Sequence, residues 1–271
     1  MPAGWQTAAM SLADGQGGFR VRFDWGPVGA DAVAPDAAFV AVVDVLSFTT
    51  TLTVAVEQGL QVLPYRWRDD SAVDVARRNG AMLAVLRKQA GPGQVTLSPE
   101  SILHADLRAD GIDRLVLPSP NGSAISVRLA DAGVTVVGVS LRNAAAAAVW
   151  VRERSGDRPV GVVASGERWP DGSLRPAIED LLGAGAFLHG LAEGSAAGFS
   201  PEAGAAMWAY RGIAESLGDA LSESVSGREL RGFGFSGDVA VASAVGASTV
   251  VPVLRDGWFV DGGSWPISLP V

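Results

Sequence analysis

The sequence predicts an α/β protein, a three-layer α/β/α sandwich on a largely parallel or mixed sheet. Three observations carry that prediction. Short runs rich in β-branched residues recur along the chain: Phe39–Val43, Val134–Val139, Val160–Ala164 and Thr249–Leu254. They are apolar at nearly every position rather than at alternate ones, the pattern of strands covered on both faces. Segments of helical character separate them, punctuated by Gly, Ser and Pro, and that alternation builds parallel sheets. Finally, 271 residues at 48% hydrophobic composition supply a sizeable core.

Taken in order, residues 1–18 read as a flexible leader and 19–271 as a single domain. Phe19–Phe23 alternates and makes a first strand, at an edge. The Gly/Ala/Pro/Asp stretch 26–36 reads as loop. Phe39–Val43 is the central strand, and the segment beyond it suits a helix with Gly59 as its stop. Val62–Tyr65 is a short strand whose Pro64 implies an end or edge position. Asp70–Asn79 is helical with Gly80 as stop, and Ala81–Leu86 is another strand. Ser98-Pro99-Glu100 opens a helix with Ser as N-cap and Pro at the first position.

Leu115–Leu117 is a strand that runs into Pro118–Ser123, and the helix that follows ends at Ala132 before Gly133. After Val134–Val139 comes an Ala-rich helix, Arg142–Val151, and after Val160–Ala164 a polar loop, Ser165–Arg175. Helices follow over 176–191, 202–217 and 222–230. Ser236-Gly237-Asp238 opens a further helix, and Thr249–Leu254 is the last clear strand.

Composition narrows the function. The net charge is −8 with no Lys/Arg-rich run, which argues against a nucleic-acid partner because such binding neutralises phosphates with clustered cations. The chain has no cysteine, which removes disulfides, thiolate metal sites and a Cys nucleophile. His104 and His189 stand in unrelated contexts, so a His-rich zinc site is not expected. A metal here would be hard and oxygen-bound, which points to Mg²⁺. No apolar stretch is long enough to span a bilayer, and the amino end lacks the layout of a signal peptide, so a cytoplasmic location is expected.

Four places carry chemistry. The central strand ends on Asp44, followed by Ser47, Thr49, Thr50 and Thr51 at a helix start, where a carboxylate, hydroxyls and backbone N–H groups could hold a metal and a phosphate together. Asn121-Gly122-Ser123 forms a second strand-to-helix turn. Glu179 and Asp180 are adjacent acids in an otherwise apolar helix, costly to bury unless a cation compensates them. Asp238 opens the fourth. Ligands of open α/β sheets sit beyond the carboxyl ends of strands, so these ends should converge. Each also has a plainer reading: Asp44 as a turn residue, a Thr or Asn121 as a cap, Asp180 paired with Arg175, and Asp238 capping its own helix. Acids from separate elements, with no Cys and little His, suit Mg²⁺-assisted phosphoryl chemistry. The D-x-D-x-T motif of haloacid-dehalogenase phosphatases is absent because Leu46 stands two residues after Asp44, and no P-loop occurs.

In this order the pieces resemble the 2-phosphosulfolactate phosphatase (ComB) family. The matching stretches are DVLSFTTT at 44–51, SP at 98–99, PNGS at 120–123, SLRNAAA at 140–146, ASGE…EDLLGAG at 164–185 and GDVAVASAVGASTVVP at 237–252. The resemblance implies an α/β fold of its own and Mg²⁺-dependent hydrolysis of 2-phospho-3-sulfolactate to 3-sulfolactate and phosphate. The leading reading takes Asp44, Glu179, Asp180 and Asp238 as catalytic groups, with Asp44, Asp180 and Asp238 as metal ligands. It nominates Ser47, Thr49, Thr50, Asn121, Gly122, Ser123, Arg142, Asn143, Gly166 and Glu167 for the substrate.

The chain also departs from the family pattern. The family's first motif resembles D-V-L-R-[AS]-[ST]-T, and Ser47 stands at its Arg. Leu86 stands at a glutamate before Arg87, and Ala242 and Gly246 at a later Cys and Asp. Arg142, Arg168 or Arg175 would have to supply the missing cation. The expected partner is a small phosphate ester, with no membrane and a homo-oligomer left open. The competing expectations are a catalytically impaired member that binds a phosphorylated or sulfonated metabolite, and a purely structural or partner-binding domain.

Overall fold

The computed structural model describes residues 15–264 other than 68, 88, 89 and 92. Residues 1–14 of the expected leader lie outside the described residues. Gln16 lies against the first strand, donating to the Phe23 carbonyl and accepting from the Phe23 N–H.

The strands are β1 (Val21–Trp25), β2 (Phe39–Val43), β3 (Gln61–Tyr65), β4 (Met82–Leu83), β5 (Arg114–Pro118), β6 (Thr135–Val139), β7 (Val160–Ala164), β8 (Glu167–Arg168), β9 (Leu174–Arg175), β10 (Pro252–Arg255) and β11 (Trp258–Asp261). The helices are α1 (Gly26–Val33), α2 (Phe48–Glu57), α3 (Ser71–Arg78), α4 (Pro99–Leu103), α5 (Gly122–Asp131), α6 (Ala144–Ser155), α7 (Ile178–Ala192), α8 (Pro201–Ile213), α9 (Leu217–Glu223), α10 (Val225–Gly232) and α11 (Ser236–Ala242). Among the described residues no helix is long and apolar enough to cross a membrane.

Nine strands form one mixed sheet in the order β1-β7-β2-β6-β10-β11-β3-β5-β4, and β8-β9 is a separate hairpin. β1 is the expected edge strand. β2 lies between β7 and β6, parallel to both. All five of its residues are buried, and they alternate between two cores. Phe39, Ala41 and Val43 face α6, α7 and α8, whereas Val40 and Val42 face α1, α2 and α5. Helices on both faces are why the strand is apolar throughout.

The structure changes several expected elements. The stretch 26–36 holds α1, whose Ala30 and Val33 are fully buried; packing there overrides a composition that reads as loop. Pro64 sits inside the sheet, between β11 and β5. It is tolerated because β11 pairs with β3 only at Phe259 and Val62, leaving no ladder donor missing on that side. The strand over 81–86 shrinks to β4, and β8-β9 occupies the polar loop 165–175.

The sheet's topology makes the cleft. β1, β7, β2 and β6 run parallel, as do β3, β5 and β4, but the antiparallel β10–β11 hairpin between the groups reverses the direction. In a flat sheet the two groups would present their carboxyl ends on opposite sides. The ladder thins to one residue pair on each flank of the hairpin, Val253 with Val137 and Phe259 with Val62. The chain leaving β5 nevertheless meets the chain leaving β2, where the Gly122 N–H donates to Asp44.

Candidate functional site

That meeting point is Asp44. Its Oδ2 accepts the Gly122 N–H at the start of α5 (2.8 Å), and its Oδ1 accepts the Phe48 N–H at the start of α2 (3.2 Å). Two helix N-termini thus aim at one carboxylate that is only 6% exposed. Gly122 has to be glycine. A Cβ there would run into the Phe48 ring and stand 2.8 Å from Asp44 Oδ2. The hydroxyls beyond Asp44 serve the backbone. Thr49 Oγ1 donates to the Asp44 carbonyl (2.8 Å) and accepts the Asp44 N–H, Thr50 Oγ1 donates to the Val45 carbonyl (2.7 Å), and Thr51 Oγ1 to the Leu97 carbonyl. Thr49, Thr50 and Thr51 are fully buried. They tie the turn after β2 rather than facing the cleft.

Asp180, in the first turn of α7, clamps two strand exits. Its Oδ1 accepts the Val45 N–H (2.7 Å) and its Oδ2 the Gly166 N–H (2.8 Å). Gly166 has φ +66°, and a Cβ there would stand 3.0 Å from the Arg175 carbonyl oxygen, so this clamp also needs glycine. Burial, then the charges of Asp44 and Glu179, push the Asp180 carboxyl well above the usual carboxylate range, and Glu167 adds to this. Glu179 is 2% exposed, and among the described residues its carboxylate has neither a hydrogen bond nor an ion pair. Glu167 faces the cleft from β8 and accepts from Asn121 Nδ2 at 3.0 Å. Burial and the charge of Asp44 raise its carboxyl to about 7, against the Asn121 hydrogen bond and Arg175.

Asp238 belongs to a different part of the site. It is fully buried. Its Oδ2 accepts from Arg87 Nε (3.1 Å) and Nη2 (2.8 Å), and its Oδ1 accepts from the Ser98 hydroxyl and the Glu100 N–H. Arg87 Nη2 also donates to Ser47 Oγ at 2.9 Å and to the Leu97 carbonyl. An arginine therefore does stand at the head of the first motif, but it arrives from the chain after β4 and rests on Ser47. Sequence reasoning noted Arg87 as an arginine the family pattern retains, but named Arg142, Arg168 and Arg175 for the missing cation.

Of those three, Arg142 turns to Glu57 at the far end of α2 (3.2 Å). Arg168 and Arg175 line the cleft, with Arg175 Nη2 donating to Ser226 Oγ. Asn143 accepts the Ser140 N–H and donates to the Gly138 and Val250 carbonyls, and Ser123 Oγ donates to the Leu117 carbonyl. Both are fully buried framework residues. The cleft encloses ≈ 910 Å³, with Asp44, Ser47, Arg87, Asn121, Glu167 and Arg175 among the groups that face it.

The structure thus brings Asp44, Glu167, Glu179 and Asp180 into one acidic group, and sets Asp238 apart behind Arg87. The burial and mutual repulsion of these acids suit a hard cation. The donor geometry does not close around one: among the described residues no three His, Cys, Asp or Glu side chains stand together as a set able to hold a metal ion. Asp44, Asp180 and Asp238 do not meet as the ligand trio expected from the sequence, because Arg87 occupies the Asp238 carboxylate. Against known proteins, a family model described as 2-phosphosulpholactate phosphatase matches residues 30–257.

Proposed function

Since the chain belongs to the 2-phosphosulpholactate phosphatase family, a family of phosphoric monoester hydrolases, we propose that it hydrolyses a small acidic phosphate ester in the cleft above Asp44. By family the substrate is 2-phospho-3-sulfolactate, released as 3-sulfolactate and phosphate. The observation that carries this reading is one charged floor built from distant segments. Arg87, seated on Ser47 and Asp238, and Arg175 supply positive charge beside Asp44 and Glu167. A guanidinium offers paired donors that match phosphate oxygens.

Arg87 and Arg175 bind and orient the phosphate. Water attacks phosphorus, the bond from phosphorus to the ester oxygen breaks, and the departing alkoxide needs a proton. Glu167 is suited to give it, because a carboxyl with a pKa of about 7 is substantially protonated at neutral pH. The proton released by the attacking water returns Glu167 to its acid form. Asn121 orients Glu167 through its amide. Asp180 fixes the chain on both sides of the floor.

Mg²⁺ is part of the proposal on charge grounds. Of the two carboxylates on the cleft floor, Asp44 would hold it, while Glu167, kept protonated as the acid, would not. When bound, such an ion neutralises phosphate oxygens and lowers the pKa of water.

The test is phosphate release from 2-phospho-3-sulfolactate and from generic phosphate esters, with Mg²⁺ and with a chelator, for wild type and Asp44→Asn. Turnover that needs Mg²⁺, and falls by about a hundredfold or more in the variant (~2.7 kcal/mol), supports the reading. No release from any ester at high enzyme concentration, or equal release by the variant, rejects it. Thermal stabilisation by the ester without turnover would instead mark a binding protein.

A further inference from the structure

The cleft has two unlike halves. Its floor is charged, and its mouth sets exposed apolar side chains among the charged Asp69, Asp70, Arg168 and Glu229. Val73, Leu86, Trp169 and Val225 all line it and are 57%, 42%, 53% and 54% exposed. They come from α3, from the chain after β4, from the turn of the β8-β9 hairpin and from the start of α10. Single apolar residues scattered over a surface need no explanation, but four converging on one opening do. Both cleft arginines also have an aromatic ring beside them. Arg87 Cζ lies 5.2 Å from the Phe235 ring centroid and Arg175 Cζ 5.9 Å from that of Trp169.

Size points the same way. At ≈ 910 Å³ the cleft lies near the top of the range of about 300–1,000 Å³ that encloses drug-sized ligands. A three-carbon acid carrying a phosphate and a sulfonate is polar all over. It would occupy the floor and leave those apolar side chains in water.

We propose that, beyond the small acidic ester, this site also takes phosphate monoesters whose organic part carries an aromatic or extended apolar group. The phosphate sits on the floor by Arg87 and Ser47, and the apolar group lies against Trp169, Leu86 and Val225. Burying that group releases water from both surfaces, an attraction a small acidic ester cannot gain. The proposal rests on the phosphatase reading of the same floor, and the following experiment separates the two.

With Mg²⁺ present, kcat/KM is measured for 2-phospholactate, phenyl phosphate and 2-naphthyl phosphate, for wild type, Trp169→Ala and Leu86→Ala. Both substituted side chains are exposed, so the fold is not at stake. The expected result is a rise of at least tenfold from 2-phospholactate to 2-naphthyl phosphate. The ratio of those two values should fall by about tenfold (about 1.4 kcal/mol) in Trp169→Ala, with a smaller fall in Leu86→Ala. Preference for 2-phospholactate, with the ratio unmoved by both variants, overturns the proposal and leaves the phosphatase reading standing. If wild type cleaves none of the three but releases phosphate from 2-phospho-3-sulfolactate, the proposal is overturned and the phosphatase reading stands; if it cleaves none of the four, the phosphatase reading fails. Titration of 2-naphthyl phosphate by tryptophan fluorescence then decides, since affinity lost in both variants supports the apolar mouth and unchanged affinity overturns it. A change of sedimentation mass in Trp169→Ala with the ratio unmoved assigns the mouth to contact between copies of the chain, and also overturns the proposal.

Discussion

Replacing Arg87 with Met tests the joint between Asp238 and the cleft floor. Asp238 is fully buried, and its Oδ2 has two donors from Arg87, at 3.1 and 2.8 Å. The substitution keeps much of the side-chain volume but removes both donors. The carboxylate is left to the Ser98 hydroxyl and to the Glu100 N–H at 3.3 Å. Breaking a buried ion pair by removing one partner costs about 3–5 kcal/mol. The Arg87 side chain is 19% exposed, so its end of the pair keeps some hydration, and the lower end, about 3 kcal/mol, applies. For a chain of this size that corresponds to a fall in Tm of about 6–12 °C.

Asp238→Ala should cost less, because the freed guanidinium keeps Ser47 Oγ and the Leu97 carbonyl and can turn towards water. The double variant should then be more stable than the sum of the two losses predicts, by about 1.5–3 kcal/mol. Urea unfolding followed by far-ultraviolet circular dichroism measures this as a shift in midpoint at constant slope. Losses that add to within about 0.5 kcal/mol would refute the coupling, and with it the account of Asp238 as the group that seats Arg87.

Two further outcomes follow from the acidic group and its glycine. The Glu167 carboxyl stands at about 7 in the folded protein against an ordinary 4.5, so between those values the folded state holds a proton that the unfolded chain has lost. The stability this contributes is present below about pH 4.5, and is lost as pH rises towards 7. Glu167→Gln should remove that slope, so that its Tm relative to wild type climbs from pH 5 to pH 8, and should erase the limb near pH 7 in the kcat/KM profile; parallel Tm curves would show that Glu167 does not titrate in this range. Gly122→Ala forces a methyl against the Phe48 ring and Asp44, and overpacking of this kind costs about 1–3 kcal/mol. Activity should fall further than stability because Asp44 is displaced, and a variant with wild-type melting and turnover would contradict the packing described.

What could be read from the sequence was local. β2 announces itself as an apolar run ending on Asp44, and the adjacent acids of α7 stand out because an apolar helix rarely carries two. Both belong to the site. Arg87 was legible as a residue the family pattern retains, but not as the cation seated on Ser47 and Asp238, because those partners lie 40 and 151 residues away and spacing along a chain carries no sign of such a pair. The hydroxyl run misled for a related reason. Thr at a strand-to-helix turn suits a phosphate, but it equally suits the backbone, and only burial separates the two. β11 could have been found. Asp256 and Gly257, at φ 47° and 83°, are the Asp-Gly pair that closes a tight hairpin, and that hairpin reverses the sheet.

The reversal bears on how an anion can bind. Two helix N-termini that would attract a phosphate point instead at Asp44, whose carboxylate already accepts the Phe48 and Gly122 N–H groups. The threonine hydroxyls are tied to carbonyls. The Thr49, Thr50 and Thr51 hydroxyls and the Phe48 and Gly122 N–H groups are therefore satisfied within the protein, and the positive charge available to a phosphate comes from arginine side chains. Arg87 can serve only if it is held over Ser47 and kept from folding back onto the acids beneath Asp44, and the buried carboxylate of Asp238 provides that hold. On this reasoning an acid that the sequence suggests as a metal ligand contributes to the site by anchoring a cation of the protein's own.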